Sequence, residues 1–238
     1  MRIAIADDDR DTLDLIVSCL EKTGYSFDSF ANGRDLLVAL RRETYDVVLV
    51  DWNMPGATGL EVVQWGTENL DDPPAFILIT SRSDKTDVVR GLDQGASDYI
   101  VKPESEEVIL ARIEAAGRRR RPAAAERYQT HGRYRIDRLE KTIAVDGNPV
   151  ALTAKEYKVA ALFFDNLNRP LSRSYIFSRI WGNIGDMQTR TLDMHVSRVR
   201  SKLKLRPHNG FAIQTVFGFG YRMDVFSDEA IDESVSTE

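Results

Sequence analysis

The sequence predicts two domains in succession: an α/β domain built on a doubly wound, five-stranded parallel sheet, and a smaller winged helix-turn-helix. Three observations carry this. Apolar runs alternate with helical patterns through the first half of the 238 residues, the rhythm of parallel strands joined by crossover helices. The second half breaks that rhythm with short strands, three helical patterns and a closing hairpin. Charge divides at the same place: residues 1–117 hold 11 Lys and Arg against 23 Asp and Glu, a net of −12, whereas residues 118–226 hold 21 against 9, a net of +12. A basic half of this kind points to nucleic acid or another anionic surface as its partner.

Strands are expected at 2–6, 25–29, 47–50, 76–79 and 99–101, with helices near 9–22, 33–42, 59–69, 84–94 and 105–117. Residues 47–50 and 76–79 are apolar without alternation, as strands covered on both faces require. Gly24 and Gly95 follow helical patterns where a left-handed residue commonly ends a helix. Residues 117–131, with four arginines in a row at 118–121, read as a last helical turn and then a linker. Strands follow at 134–136, 142–145 and 150–152, with a turn at Asp146-Gly147-Asn148-Pro149. Thr153-Ala154-Lys155-Glu156 is a capping box that opens a helix, and further helical patterns lie near 173–181 and 188–204. Residues 212–217 and 221–225, joined by Gly218-Phe219-Gly220, make the hairpin. The boundaries are therefore a first domain at 1–117, a linker at 118–130, a second domain at 131–226 and an acidic, disordered tail at 227–238 with five acids and no base.

Composition narrows the function classes. No apolar run approaches the roughly 18 residues that a membrane span needs. The start of the chain runs from Ile5-Ala6 straight into three aspartates and does not read as a signal peptide. Cys19 is the single cysteine, so a disulfide framework or a cysteine metal centre is excluded, which suits the reducing cytoplasm.

In an open parallel sheet, ligand sites form beyond the carboxyl ends of the strands. Asp7, Asp8 and Asp9 follow the first strand, Asp51 the third, Thr80 and Ser81 the fourth, and Lys102-Pro103 the fifth. Taken singly, an aspartate ending a strand is more often a cap or turn residue, and Asp9 suits an N-cap. Convergence from four strand ends favours a site. Clustered carboxylates demand a cation, and an all-oxygen donor set without His or Cys favours Mg2+. With an ammonium at Lys102 and a hydroxyl at Thr80, the set has the parts of phosphoryl transfer, and Asp51 is the best nucleophile.

The blocks Ile5-Ala6-Asp7-Asp8-Asp9, Asp51-Trp52-Asn53-Met54-Pro55-Gly56, Ile79-Thr80-Ser81 and Asp98-Tyr99-Ile100-Val101-Lys102-Pro103 resemble, in order and spacing over residues 1–117, the signatures of bacterial response-regulator receiver domains, a flavodoxin-like fold. The resemblance implies a phosphoacceptor at Asp51. It implies a metal held by Asp7, Asp8, Asp51 and the Asn53 backbone carbonyl. Thr80 and Lys102 become phosphate ligands and Tyr99 the aromatic that follows Thr80 on switching. Arg90, Asp98, Glu107 and Arg112 would form charge pairs across a homodimer that assembles on phosphorylation.

In the second half, a helical wheel over residues 188–203 separates two faces. With Arg190 at zero, Leu192, Val196, Val199 and Leu203 fall between about 180° and 240°, and Arg190, Thr191, Met194, His195, Arg198 and Lys202 between about 0° and 140°, with Arg200 near 280°. A core stripe opposite a basic face is what a major-groove helix needs, although a solvated face has the same pattern. His195 lacks metal partners and suits a phosphate contact or a packed boundary. Leu152-Thr153-Ala154-Lys155-Glu156-Tyr157, Trp181-Gly182, the stretch Arg190–Leu203 and Gly218-Phe219-Gly220-Tyr221-Arg222 resemble the winged-helix effector domain of the OmpR/PhoB family. The resemblance implies base contacts from Thr191, Met194 and Arg198, and mostly phosphate contacts from Arg190, His195, Arg200 and Lys202. It implies that residues 181–188 can meet RNA polymerase. Two positions depart from the pattern. Phe217 stands where a basic residue usually precedes Gly-x-Gly and enters the minor groove, leaving Arg222 to touch the backbone. Glu104 stands where an aromatic usually follows Lys-Pro, beside the pairing face.

The function these readings imply is a cytoplasmic, phosphorylation-controlled transcriptional regulator of a two-component system. A sensor histidine kinase would load Asp51, the receivers would pair, and the effector domains would bind double-stranded promoter DNA; beyond its own phosphorylation and dephosphorylation it is not expected to be an enzyme. Two other readings compete. A haloacid-dehalogenase-like phosphatase also uses a strand-end aspartate with Mg2+, but wants a second aspartate where Asn53 stands. A DNA-binding regulator could also work without phosphate.

Overall fold

The structure is a computed structural model that describes residues 1–81, 91–119, 127–182 and 189–226. The chain divides into two units, Met1–Arg121 and Pro122–Glu238.

The first unit runs β1 (Arg2–Ala6), α1 (Arg10–Glu21), β2 (Ser26–Phe30), α2 (Gly33–Leu40), β3 (Val47–Asp51), α3 (Gly59–Asn69), β4 (Ala75–Thr80), β5 (Asp98–Val101) and α4 (Glu106–Arg119). All five strands are parallel, in the order β2-β1-β3-β4-β5. The reversal of strand order at β1 is the switch point of a doubly wound sheet, as the alternation predicts. Side chains of period two sort onto the two faces. Ala4, Ala6, Val48, Val50, Phe76 and Leu78 pack with Leu36 and Leu40 of α2 and Leu60, Val62 and Val63 of α3. Ile3, Ile5, Val47, Leu49, Ile77 and Ile79 pack with Ile16 and Leu20 of α1 and Ile109 and Ile113 of α4. Both faces are covered, so β1, β3 and β4 are buried along their whole length.

Of the helix expected at 84–94, residues 84–90 lie outside the described residues. Its helical end at 91–93 closes on Gly95, whose φ of +103° admits the capping bonds Gly95 N–H to Leu92 O and Ala96 N–H to Gly91 O.

The second unit opens with an antiparallel sheet of β6 (Tyr128–His131), β7 (Tyr134–Asp137), β8 (Thr142–Val145) and β9 (Asn148–Val150) in that order. β6 lies in the segment that the sequence reads as linker. Its residues Tyr-Gln-Thr-His are too polar to signal a strand, and it exists because every one of them pairs with β7. The turn between β8 and β9 shortens to Asp146-Gly147, both at positive φ, a two-residue hairpin loop. Thr153 caps α5 (Ala154–Phe164) with both bonds of the capping box formed. β10 (Leu171–Ser172), α6 (Arg173–Trp181) and α7 (Thr189–Lys202) follow, and β11 (Phe211–Val216) and β12 (Gly220–Val225) form the closing hairpin. β10 adds a third strand to it, in the order β10-β12-β11, which its two residues were too short to announce. One core joins α5, α6, α7, the hairpin and β7, through Phe163, Ile176, Val196, Met223 and Tyr134, all fully or almost fully buried.

Candidate functional site

The parallel register assembles the acidic site. β1 and β3 pair Ala6 with Val50, so Asp7 and Asp51 leave the sheet on adjacent strands. β4 and β5 pair Thr80 with Val101, which brings Lys102 to the same edge; its N–H donates to Thr80 O at 2.8 Å. Behind this edge, Gly59 opens α3 and donates to Trp52 O at 3.0 Å. A Cβ on Gly59 would stand 2.3 Å from Asp51 O, so only glycine lets α3 start so close beneath the end of β3.

Lys102 Nζ lies between two carboxylates, 2.7 Å from Asp7 Oδ2 and 2.7 Å from Asp51 Oδ1. The Asn53 N–H donates to Asp51 Oδ2 at 2.7 Å, and the Asp9 N–H to Asp7 Oδ1 at 3.0 Å. Asp9 itself caps α1, accepting from the Asp11 N–H and the Thr12 hydroxyl. Asp7 is 1% exposed, and burial, with some help from the Asp51 charge, pushes its carboxyl above the ordinary range against the pull of Lys102. Burial also opposes charge on Lys102, yet the hydrogen bonds to Asp51 and Asp7 outweigh it and raise its pKa. Asp8 is exposed, and one oxygen each from Asp7, Asp8 and Asp51 lie within 4.8 Å of one another. Three carboxylates against one ammonium leave a surplus of negative charge that a divalent cation would neutralise. The all-oxygen donor set suits Mg2+.

Thr80 is buried at the end of β4, and Tyr99 is half-buried against the core cluster that holds Trp52 and Leu78. On the face expected to pair, Asp98 and Arg112 bond to each other within one chain, at 2.9 and 3.0 Å, because β5 and α4 are neighbours. Cross-dimer pairing of these two would require an exchange of partners. Glu107 is exposed, and Arg90 lies outside the described residues.

In the second unit, α7 buries Leu192, Val196 and Val199, and Leu203 just beyond its end, to 1% exposure or less, while Arg190, Met194 and Arg198 are exposed and Thr191 is half-buried. Three of the expected DNA contacts also bond within the unit. Arg200 donates from Nε to Ile213 O at 2.9 Å and from Nη2 to Thr215 Oγ1 at 3.4 Å, and burial lowers its pKa. Lys202 binds Glu156 at 2.7 Å and Ala151 O at 3.0 Å. Arg222 donates to Asp224 at 2.5 Å. His195 is half-buried, with Nδ1 2.8 Å from Thr191 O and its ring edge-on to Trp181, which stacks on Phe177. Residues 183–188 of the expected polymerase loop lie outside the described residues.

Sequence reasoning missed the clamp between α7 and the hairpin. The Tyr221 hydroxyl donates to Asp193 at 2.5 Å, and the Arg173 and Arg200 guanidinium groups lie over the Tyr221 ring at 5.0 and 5.4 Å. The signal was present: Asp193 falls near 300° on the wheel, about 20° from Arg200 and off the basic face. For Lys202 no such signal exists, since its partner Glu156 is 46 residues away.

Residues 3–114 match the family described as response regulator receiver domain, and residues 147–223 the family described as transcriptional regulatory protein, C terminal. The sensory transduction protein RegX3 of Mycolicibacterium smegmatis is 32% identical over 93% of this chain and 98% of its own. The response regulator ArlR of Staphylococcus saprophyticus is 36% identical over 92% and 97%, and the phosphate regulon transcriptional regulatory protein PhoB of Pseudomonas aeruginosa 29% over 94% and 98%. Among the described residues, no helix is long and apolar enough to cross a membrane.

Proposed function

Because the chain belongs to the OmpR/PhoB family of two-component response regulators, DNA-binding regulators of transcription with a receiver domain, we propose that Asp51 is the residue its partner kinase phosphorylates. One observation carries this. The Asp51 carboxylate is held at a strand end by Lys102 on one oxygen and the Asn53 N–H on the other, within 4.8 Å of oxygens of Asp7 and Asp8.

The donor is a sensor histidine kinase. An Asp51 oxygen attacks the phosphorus of its phosphohistidine; the O–P bond forms, the N–P bond breaks, and the electron pair returns to the imidazole. Asp7, Asp8, Asp51 and the Asn53 carbonyl would hold Mg2+, which would supply positive charge to the phosphoryl oxygens. Lys102 exchanges part of its pairing with Asp7 and Asp51 for the new phosphoryl group, and the Thr80 hydroxyl donates to it. Both form charge-assisted hydrogen bonds that exist only after transfer. Tyr99 follows Thr80, which changes the face carrying Asp98, Glu107 and Arg112 and promotes homodimerisation. Asn53 in place of a second aspartate, where a haloacid-dehalogenase-like phosphatase keeps its acid, supports an acceptor rather than a turnover enzyme.

Pairing brings two effector units onto promoter DNA, where tethering raises avidity. Thr191, Met194 and Arg198 read bases in the major groove and Arg190 holds phosphate, while Arg200 and Lys202 tie α7 to β11 and to α5; Arg222 pairs with Asp224 along its own strand. Residues 181–188 meet RNA polymerase. A regulator with these partners works in the cytoplasm.

The test is labelling with a small-molecule phosphodonor in Mg2+. Wild type forms an acyl phosphate and Asp51→Asn does not; persistent labelling of the variant at a hydroxylamine-labile bond would overturn the assignment.

A further inference from the structure

We propose that Phe217 is an apolar wedge that enters the DNA minor groove beside the major groove read by α7, selecting for an easily unstacked base step there. This rests on the DNA-binding reading above and adds a specificity-determining contact that is not electrostatic.

Phe217 sits at the tip of the hairpin. The Phe219 N–H donates to Val216 O at 3.0 Å and Gly218 has φ of +71°, so the turn is closed and its third position needs glycine. Phe217 occupies the outer corner at 101% relative exposure, whereas Phe211 at the base of the hairpin and Tyr221 just below its turn are buried. A fully exposed ring on a fixed turn packs against nothing in its own unit.

The tip is held in a set relation to α7. Arg200 joins α7 to β11 through Ile213 O, and the Tyr221 hydroxyl joins β12 to Asp193 of α7. Phe217 is four residues beyond Ile213, so the tip stands roughly 13 Å from the Arg200 contact, while Tyr221, opposite Thr215, anchors the hairpin just below the tip. One helical turn of about 34 Å holds one major and one minor groove, so their centres stand about 17 Å apart along the axis. A tip roughly 13 Å beyond the Arg200 contact, with the Phe217 ring projecting further, extends from α7 toward the groove next to the one α7 reads.

The chemistry of the tip decides what it does there. Residues 211–221 carry no charged side chain, and Arg222 is paired with Asp224. The tip offers phosphate nothing to pair with. Apolar side chains that meet the minor groove insert between base pairs and unstack them, and pyrimidine–purine steps unstack most readily.

The experiment uses the full chain, treated with phosphodonor, and duplexes that it selects from a random 30-base-pair library. 2-Aminopurine is then placed at each step flanking the α7 site. Because Phe217 is fully exposed, its replacement does not threaten folding. The expected results are a rise in 2-aminopurine fluorescence at one step with wild type, lost in Phe217→Ala. Phe217→Ala also loses about tenfold in affinity at every salt concentration, with an unchanged salt slope, while Phe217→Arg steepens the slope by about one. Phe217→Ala with wild-type affinity and fluorescence, while Arg198→Ala still binds more weakly, overturns the wedge and leaves the DNA reading intact. Failure of the wild type to enrich any duplex overturns both.

Discussion

Lys102 Nζ lies 2.7 Å from Asp7 and 2.7 Å from Asp51, so one ammonium joins two carboxylates at the ends of adjacent strands. Removing it leaves two neighbouring acids in a mostly buried edge. Lys102→Met is expected to destabilise the receiver by about 3 kcal/mol at pH 7.5 and to slow acyl-phosphate labelling at least about tenfold. The sign of the pH effect follows from Asp7, whose carboxyl is already raised by burial. An acid raised in the folded state favours folding as pH falls, so the deficit of the variant should shrink between pH 7.5 and 5.5. Urea melts at both values check this. A deficit that grows on acidification would refute the bridge as the cause.

Gly59 is the spacer beneath Asp51. Gly59→Ala puts a Cβ against the Asp51 carbonyl, backbone that cannot step aside without moving β3. The expected cost is about 2 kcal/mol or more, with a matching fall in labelling rate. A neutral substitution, measured by denaturant unfolding, would mean that α3 can retreat from the sheet without disturbing the site.

Arg200 and Arg198 are separated by their partners rather than by their chemistry. Arg200→Ala should lower the stability of the DNA-binding unit by about 1–2 kcal/mol and leave the salt slope of DNA binding unchanged. Arg198→Ala should leave stability intact and cost about 1–3 kcal/mol in binding, with relaxed preference at one base position. A shallower salt slope for Arg200→Ala would restore it as a phosphate contact.

Glu156 joins the start of α5 to the end of α7 through Lys202. Burial opposes its ionisation, but hydrogen bonds from Lys202 and the Thr153 N–H outweigh this and hold its carboxyl below the ordinary value of 4.5. A depressed acid contributes stability that is present above 4.5 and lost as pH falls through the lower folded value. Thermal melts from pH 7 to 3 should show that loss in wild type. Glu156→Gln should cost about 1–2 kcal/mol at pH 7 and flatten the acid limb. An unchanged acid limb would assign the loss to other carboxylates.

The doubly wound sheet was legible because its strands are buried on both faces, and such strands write continuous apolar runs into a chain. The capping box at Thr153 and Glu156 was legible because its partners are three residues apart. β6 and β10 were not, since four polar residues and two residues respectively become strands only through their neighbours.

The sequence by itself determined which groups stand at the strand ends: Asp7, Asp8, Asp51, Thr80 and Lys102 follow from where apolar runs stop. It also determined that α7 has a core stripe and an opposing basic face, because helical period is a local property. Only the tertiary structure decided which cations remain available. Arg198 and Arg200 are two residues apart on one helix, and one is exposed while the other is spent on the carbonyl of Ile213. Lys202 lies on the basic face and still turns to Glu156. A long, flexible side chain takes the nearest unmatched acceptor, and that acceptor is set by the packing of distant segments, which periodicity does not record.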